Sequence, residues 1–183
     1  MNTDKLYKKG KEKYNLFYII FSNLFFFLQI AFGFYIMLPV KIAGIPLISI
    51  AYLSYILFMH LYFLRKHMCS TCYYYGKKCH FGWGGKIACL YKENGGKHKL
   101  GGIFSGITWI IIMLVPFFTV ILDFYFNLRL DNIILIIPYV FLMSINSIIH
   151  KRDCDHCKMK NICHGSASRR YKEIKKTITD KIS

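Results

Sequence analysis

Residues 16–38 read LFYIIFSNLFFFLQIAFGFYIML, a run of 23 residues without a charged side chain. An α-helix rises about 1.5 Å per residue, so about 20 apolar residues cross the roughly 30 Å hydrocarbon core of a bilayer. Buried helices of a soluble bundle would show a polar face, and this run shows almost none. With three further apolar runs, the sequence predicts an all-α integral membrane protein with four transmembrane helices, at residues 16–38, 42–64, 103–122 and 133–149.

The positive charges are distributed unevenly between the predicted loops. Of 25 Lys and Arg, five precede the first span, eight lie in residues 65–99 and ten lie in the tail from residue 151. The two remaining loops hold one each, Lys41 and Arg129. By the positive-inside rule, this pattern places both termini in the cytosol of a multi-pass cell-membrane protein. The formal net charge of +16 is then explained by topology and by the lipid bilayer as partner, so we expect no nucleic-acid binding.

The chain contains the same unit twice. Each unit has a helix, a short outer loop, a return helix and a cysteine- and histidine-rich segment. The first cysteine segment, residues 69–80, has the spacing Cys-x2-Cys-x6-Cys-His; the second, residues 154–164, has Cys-x2-Cys-x5-Cys-His. Such a repeat predicts two parallel helical hairpins around a pseudo-two-fold axis along the membrane normal. The predicted units are 1–102, with a Cys/His cluster at 67–89 and a glycine-rich linker at 81–102, and 103–183, with a cluster at 150–164 and a basic tail.

Six of the seven cysteines belong to the two segments, and all seven lie on the face predicted to be cytosolic. A reducing compartment disfavours structural disulfides and favours metal or redox chemistry. Two thiolates at Cys-x2-Cys spacing bind one tetrahedral zinc ion, and a third cysteine follows in each segment. The predicted metal ligands are Cys69, Cys72, Cys79, His80, Cys154, Cys157, Cys163 and His164. A fourth ligand for each site is open among His67, Cys89, His150, His156 and His164.

Two other chemistries fit the same cysteines. Iron-sulfur clusters are held by cysteine thiolates, and residues 69–89 contain four cysteines, although the spacing matches neither common ferredoxin signature. A Cys-x2-Cys pair also suits a redox-active dithiol. The sequence favours paired zinc sites with a structural or interaction role, including a protein partner at the cytosolic face. The alternative is a membrane oxidoreductase or electron-transfer protein. No residue pattern identifies a catalytic group or an oligomeric state.

Overall fold

The computed structural model describes residues 6–127 and 134–168. Within these ranges the chain is helical, with no β-strand beyond isolated bridges. The second helix continues without a break into two π-helical turns, and a 3-10 turn follows the short third helix. The elements are α1 (Leu16–Met37), α2 (Leu47–Phe58, continued by Met59–Phe63 and Arg65–Cys69), α3 (Gly84–Ile87, followed by Ala88–Leu90), α4 (His98–Asn127) and α5 (Ile136–Asp155). The predicted basic tail beyond residue 168 and the predicted outer loop at 128–133 lie outside the described residues.

Among residues 6–127 and 134–168, three helices are long and apolar enough to cross a membrane: Leu16–Met37, Leu47–Cys69 and His98–Tyr125. This supports a helical membrane protein. The described part of the fourth predicted span belongs to α5, whose last turns carry charged residues. The uncharged part of α5, from Ile136 to Ile149, would cover only about 21 Å. Four spans and cytosolic termini therefore stay predictions.

Two helices begin elsewhere than the sequence predicted. The second starts at Leu47 rather than at residue 42, because Ile42 and Ile45 pair through two backbone hydrogen bonds in a tight turn. Ala43 and Gly44 have positive φ angles there, which a helix does not allow. The fourth element, α4, starts at His98, so the end of the predicted glycine-rich linker is helical.

The core of the bundle forms around α1, which contacts α2, α4 and α5. The helix begins after Asn15, whose side-chain oxygen accepts a hydrogen bond from the Phe17 amide (3.2 Å). Its inner face packs against aromatic and aliphatic side chains of the other helices, and the buried core includes Phe26, Ile30, Ile36, Tyr52, Ile112 and Tyr139. Residues before α1, here called the N-terminal arm (6–15), pack at the end of the bundle where the cysteines lie.

Candidate functional site

One cavity at the end of the bundle collects the cysteines of both repeat units. It has a volume of about 130 Å³ and lies between α2, α4, α5 and the loops that follow α2 and α5. The six cysteines of the two segments line it: Cys69, Cys72, Cys79, Cys154, Cys157 and Cys163. The sequence favoured paired sites, one in each unit, and the structure brings the six cysteines to one cavity. We call it the cysteine cavity.

On the side of the first cysteine segment, the cavity wall contains a buried arginine. Arg65 is only 4% exposed, and its Nη1 donates a hydrogen bond to Cys69 Sγ (3.2 Å). The guanidinium also lies over the Trp83 ring, 4.4 Å from its centre. Among residues 6–127 and 134–168 no carboxylate forms an ion pair with Arg65, and its buried Nε has no hydrogen-bond partner. A buried charge is costly unless it is paired.

Arg65 and Cys69 lie in the π-helical turns at the end of α2. In a π-helix the backbone bonds span five residues, as between the Ser70 amide and the Arg65 carbonyl (3.0 Å). The wider turn changes the direction of the side chains that follow, and such turns occur frequently at functional sites. Sequence reasoning could not find this, because the apolar run of α2 gives no signal of where the helix widens.

On the side of the second cysteine segment, the end of α5 is fastened to α1. Asp153 is 2% exposed and accepts a hydrogen bond on Oδ1 from the Tyr18 hydroxyl (2.6 Å). The Tyr14 hydroxyl donates to the Asp153 carbonyl (3.2 Å). One residue further along α5, Cys154 Sγ lies 3.8 Å from His150 Nε2. His150 thus occupies, four residues before Cys154, the place that Arg65 holds before Cys69.

The N-terminal arm packs against the second segment, and none of its residues lines the cavity. The amides of Tyr7 and Lys11 donate to the carbonyls of Lys158 and His156, at 2.9 and 2.8 Å. Tyr74 of the first segment is 2% exposed, and its hydroxyl donates to the Lys11 carbonyl and accepts from the Lys158 amide (3.2 Å). This tyrosine therefore joins the arm and both cysteine segments. No feature of the sequence indicated this role for the arm, which carries four lysines and lies outside the repeat pattern.

Burial and mutual repulsion favour the protonated state of most cavity thiols. Burial raises the pKa of Cys163 to about 12, and the charge that a Cys69 thiolate would carry adds to this across the two units. Burial likewise raises the pKa of Cys157 to about 11. The pKa of Cys72 is raised well above its ordinary value, mainly by burial. The thiols thus lie close enough to repel each other as anions, and binding of a cation would relieve that repulsion.

Cys154 differs from its neighbours in the cavity. Burial again opposes its ionisation, but the charge of His150 and its hydrogen bond outweigh burial and lower the pKa of this thiol. Near the first segment, Arg65 lowers the pKa of Cys79, although burial keeps the net shift upward. Each unit therefore has one basic side chain that stabilises thiolates in the cavity.

The histidines divide between the cavity and other surroundings. His80 lines the cavity together with His60 and His150, and its buried Nδ1 has no hydrogen-bond partner among the described residues. Burial lowers the pKa of His80 to about 3, so its ring is neutral at pH 7, the form that can bind a metal. His164 does not line the cavity; its ring lies 5.9 Å from that of His98.

The remaining candidates for a fourth ligand also lie outside the cavity lining. Cys89 is exposed, and its Sγ donates a hydrogen bond to the Gly85 carbonyl (3.6 Å). His67 Nδ1 accepts from the Lys97 amide (3.3 Å), and the exposed His156 bonds to the Arg152 carbonyl. In the part of the chain that the structure describes, no three His, Cys, Asp or Glu side chains are grouped closely enough to hold one metal ion. The metal ligands therefore stay a prediction.

Comparison with protein-family models, with curated proteins and with solved structures finds no match to this chain.

Proposed function

We propose that this chain is a membrane electron-transfer protein that binds a single iron-sulfur centre in the cysteine cavity, with thiolate ligands from both repeat units. The observation that carries the proposal is that six cysteines from both units line one cavity of about 130 Å³. Iron-sulfur clusters are held by four cysteine thiolates, so the lining offers more than enough ligands. This choice replaces the two separate zinc sites that the sequence favoured.

The size of the cavity favours a centre of several atoms over one ion. A structural zinc ion draws its thiolates to about 2.3 Å, so they converge on one point. A water molecule needs only about 10 to 15 Å³ of such a cavity. The cysteine cavity is several times larger, and its sulfurs are spread around the wall. Ligands arranged around a space of this kind suit a cluster better than a single ion.

The charge of the wall supports the same choice. Arg65 places a buried positive charge beside Cys69 and Cys79, with no carboxylate to balance it in the described ranges. A thiolate-bound iron-sulfur cluster carries net negative charge and would supply the missing partner. Hydrogen bonds to the cysteine sulfurs and burial from solvent are among the features that set the potential of such a cluster. The hydrogen bond from Arg65 to Cys69 would act in this way.

Part of the remaining wall is apolar, as the surroundings of a buried redox centre often are. Large apolar side chains, among them Phe81, Trp109 and Met159, form this part of the lining. An apolar shell limits solvent access and thereby controls the redox potential of a metal centre. Polar side chains, among them Ser105, Ser166 and Lys160, also belong to the lining, so the apolar shell covers only part of the wall.

The proposal is tested by anaerobic purification followed by iron, sulfide and zinc analysis and a visible spectrum. We expect brown protein with iron and sulfide. In the double variants Cys69→Ser/Cys72→Ser and Cys154→Ser/Cys157→Ser, each change should lower the iron content and alter the visible spectrum, because both units contribute ligands to the one centre. Cys89→Ser is the matched control, since Cys89 is exposed and lies outside the cavity. It should keep the full iron content.

Other results would select the other chemistries. Colourless protein that contains zinc, and loses about half of it in each double variant, would support paired structural zinc sites. Colourless, metal-free protein whose thiols oxidise and reduce reversibly would support a dithiol. Either result would overturn the iron-sulfur proposal.

A further inference from the structure

A second site lies on the outer face of α1, separate from the cysteine cavity. An open groove of about 580 Å³ runs along the first three turns of this helix. Leu16, Ile20, Leu24 and Phe27 line it, and each is more than half exposed. The opposite wall is the loop that follows the first cysteine segment, with Gly82 and Trp83. We call this feature the outer groove.

Two lysines border the apolar part of the outer groove. Lys78 and Lys86 line it and are exposed, and neither forms an ion pair with a carboxylate in residues 6–127 or 134–168. They lie beside the end of α1 where the polar N-terminal arm meets the predicted membrane span. An apolar channel with positive charge at its polar end matches an anionic lipid, with a hydrocarbon chain and a phosphate headgroup.

We propose that the outer groove binds one anionic phospholipid of the surrounding membrane. An acyl chain lies along Leu16, Ile20 and Leu24, and the phosphate is held by Lys78 and Lys86. Lipid bound by a generic membrane surface needs no particular lysine, whereas this groove presents two at one place. The proposal does not depend on which metal or thiol chemistry the cysteine cavity supports.

The loop between the two lysines is anchored on α1. Gly82 has a φ of 66°, and a Cβ atom at this position would collide with the Ile19 side chain. Asn23 fixes the next part of the loop, since its Oδ1 accepts from Trp83 Nε1 (3.3 Å) and its Nδ2 donates to the Phe81 carbonyl (3.4 Å). The groove is thus a built feature of the fold, with Lys78 before these anchors and Lys86 after them.

Trp83 gives the site a spectroscopic reporter. Its ring stacks on Phe27 in the groove, with 6.4 Å between the ring centres. The chain has two tryptophans, so Trp109→Phe leaves Trp83 as the only one. Bromine on a lipid chain quenches tryptophan fluorescence on contact. Two vesicle samples contain the same mixture of anionic and zwitterionic phospholipid. In one sample the anionic lipid is brominated, and in the other the zwitterionic lipid is brominated at the same mole fraction. The stronger quenching shows which lipid contacts Trp83.

We expect brominated anionic lipid to quench Trp83 more strongly than brominated zwitterionic lipid. A lysine near anionic lipid is worth about 1 kcal/mol, so the preference should be about fivefold for each lysine. In Lys78→Ala/Lys86→Ala the preference should disappear. In Lys92→Ala/Lys99→Ala, which removes the same charge from exposed positions outside the groove, it should remain. Equal quenching by both lipids without any lysine change, or an unchanged preference in Lys78→Ala/Lys86→Ala, would overturn the proposal.

Discussion

The two cysteine segments are held in place by different structural elements. The first follows a π-helical turn and has a buried arginine four residues before its first cysteine. The second follows an α-helix and has a histidine at that position, with Asp153 and the N-terminal arm fastening it to α1. Even the last histidines differ, because His80 lines the cavity and His164 does not. Similar spacing along a chain therefore does not produce the same geometry, and the two segments form one asymmetric site.

Of the features that distinguish the two segments, Arg65 should have the largest effect on stability. Its charge has no counterpart of equal strength in the second unit. Arg65→Met keeps the apolar stem and removes the guanidinium. If the cavity holds an anionic centre, the loaded protein should lose about 3 to 5 kcal/mol, the usual cost of removing one partner of a buried pair. Melting in detergent, before and after chelation, measures the effect.

The chelated protein is the control for Arg65→Met. Without an anionic centre, Arg65 is a buried charge paired only by thiols, and its removal should cost little. An equal loss of stability in the loaded and chelated forms would mean that Arg65 acts only through packing on Trp83 and Phe81.

The support of the second segment can be weakened at Gly10 of the N-terminal arm. A Cβ atom at this position would lie 2.7 Å from both the amide nitrogen and the Cα of Lys158. We expect Gly10→Ala to move the arm away and to cost about 1 to 3 kcal/mol, as overpacking against backbone usually does. Limited proteolysis should cut the arm faster. The neighbouring exposed variant Lys9→Ala should change stability by less than about 0.5 kcal/mol.

The two cysteine segments can be compared further at His80 and His164, the histidines that the sequence predicted as metal ligands. His80→Gln should shift the visible spectrum or weaken metal binding by about tenfold, since His80 lines the cavity with an unpartnered Nδ1. His164→Gln should leave both unchanged, because His164 packs against His98 instead. Titration of the metal-free protein with iron and sulfide, followed by absorption, measures both variants. A larger effect at His164 would contradict the assignment.

The smallest expected effect concerns thiol reactivity and leaves stability unchanged. The pKa of Cys154 is lowered and that of Cys163 is raised to about 12, so at pH 8 Cys154 has the larger thiolate fraction. In reduced, metal-free protein a small neutral alkylating agent should therefore modify Cys154 before Cys163. Peptide mapping by mass spectrometry gives the order. His150→Gln should slow the reaction of Cys154, and equal initial rates at both cysteines would contradict the pKa difference.

The sequence predicted the long apolar helices because length and lack of charge are local properties. Leu16–Met37 agrees with the predicted 16–38 to within one residue. The start of α2 was misplaced, since Ile42 to Ile45 are as apolar as a helix but form a turn. Hydropathy does not record φ angles, so only the glycine at position 44 gave a signal.

The sequence predicted which cysteines form the candidate site, but not how they are arranged in space. The cysteine spacing identified the six thiols that line the cavity. Their convergence depends on how α2 and α5 pack around α1, which no local pattern contains. The contribution of Arg65 could have been suspected, because a basic residue four positions before a cysteine lies on the same face of a helix. The arm, Tyr74 and Asp153 act through contacts between distant parts of the chain.

The hydrogen bonds of the N-terminal arm also determine which part of the structure can form last during synthesis. Tyr7, Lys11 and Tyr14 leave the ribosome long before their partners, which lie between residues 153 and 158. Contacts of such sequence separation form late, because the intervening chain must first be made and ordered. The cysteine cavity is incomplete until then, because residues of α5 and of the second cysteine segment form part of its wall. A nascent chain therefore carries Cys69, Cys72 and Cys79 without the second half of their site until the last helix is in place.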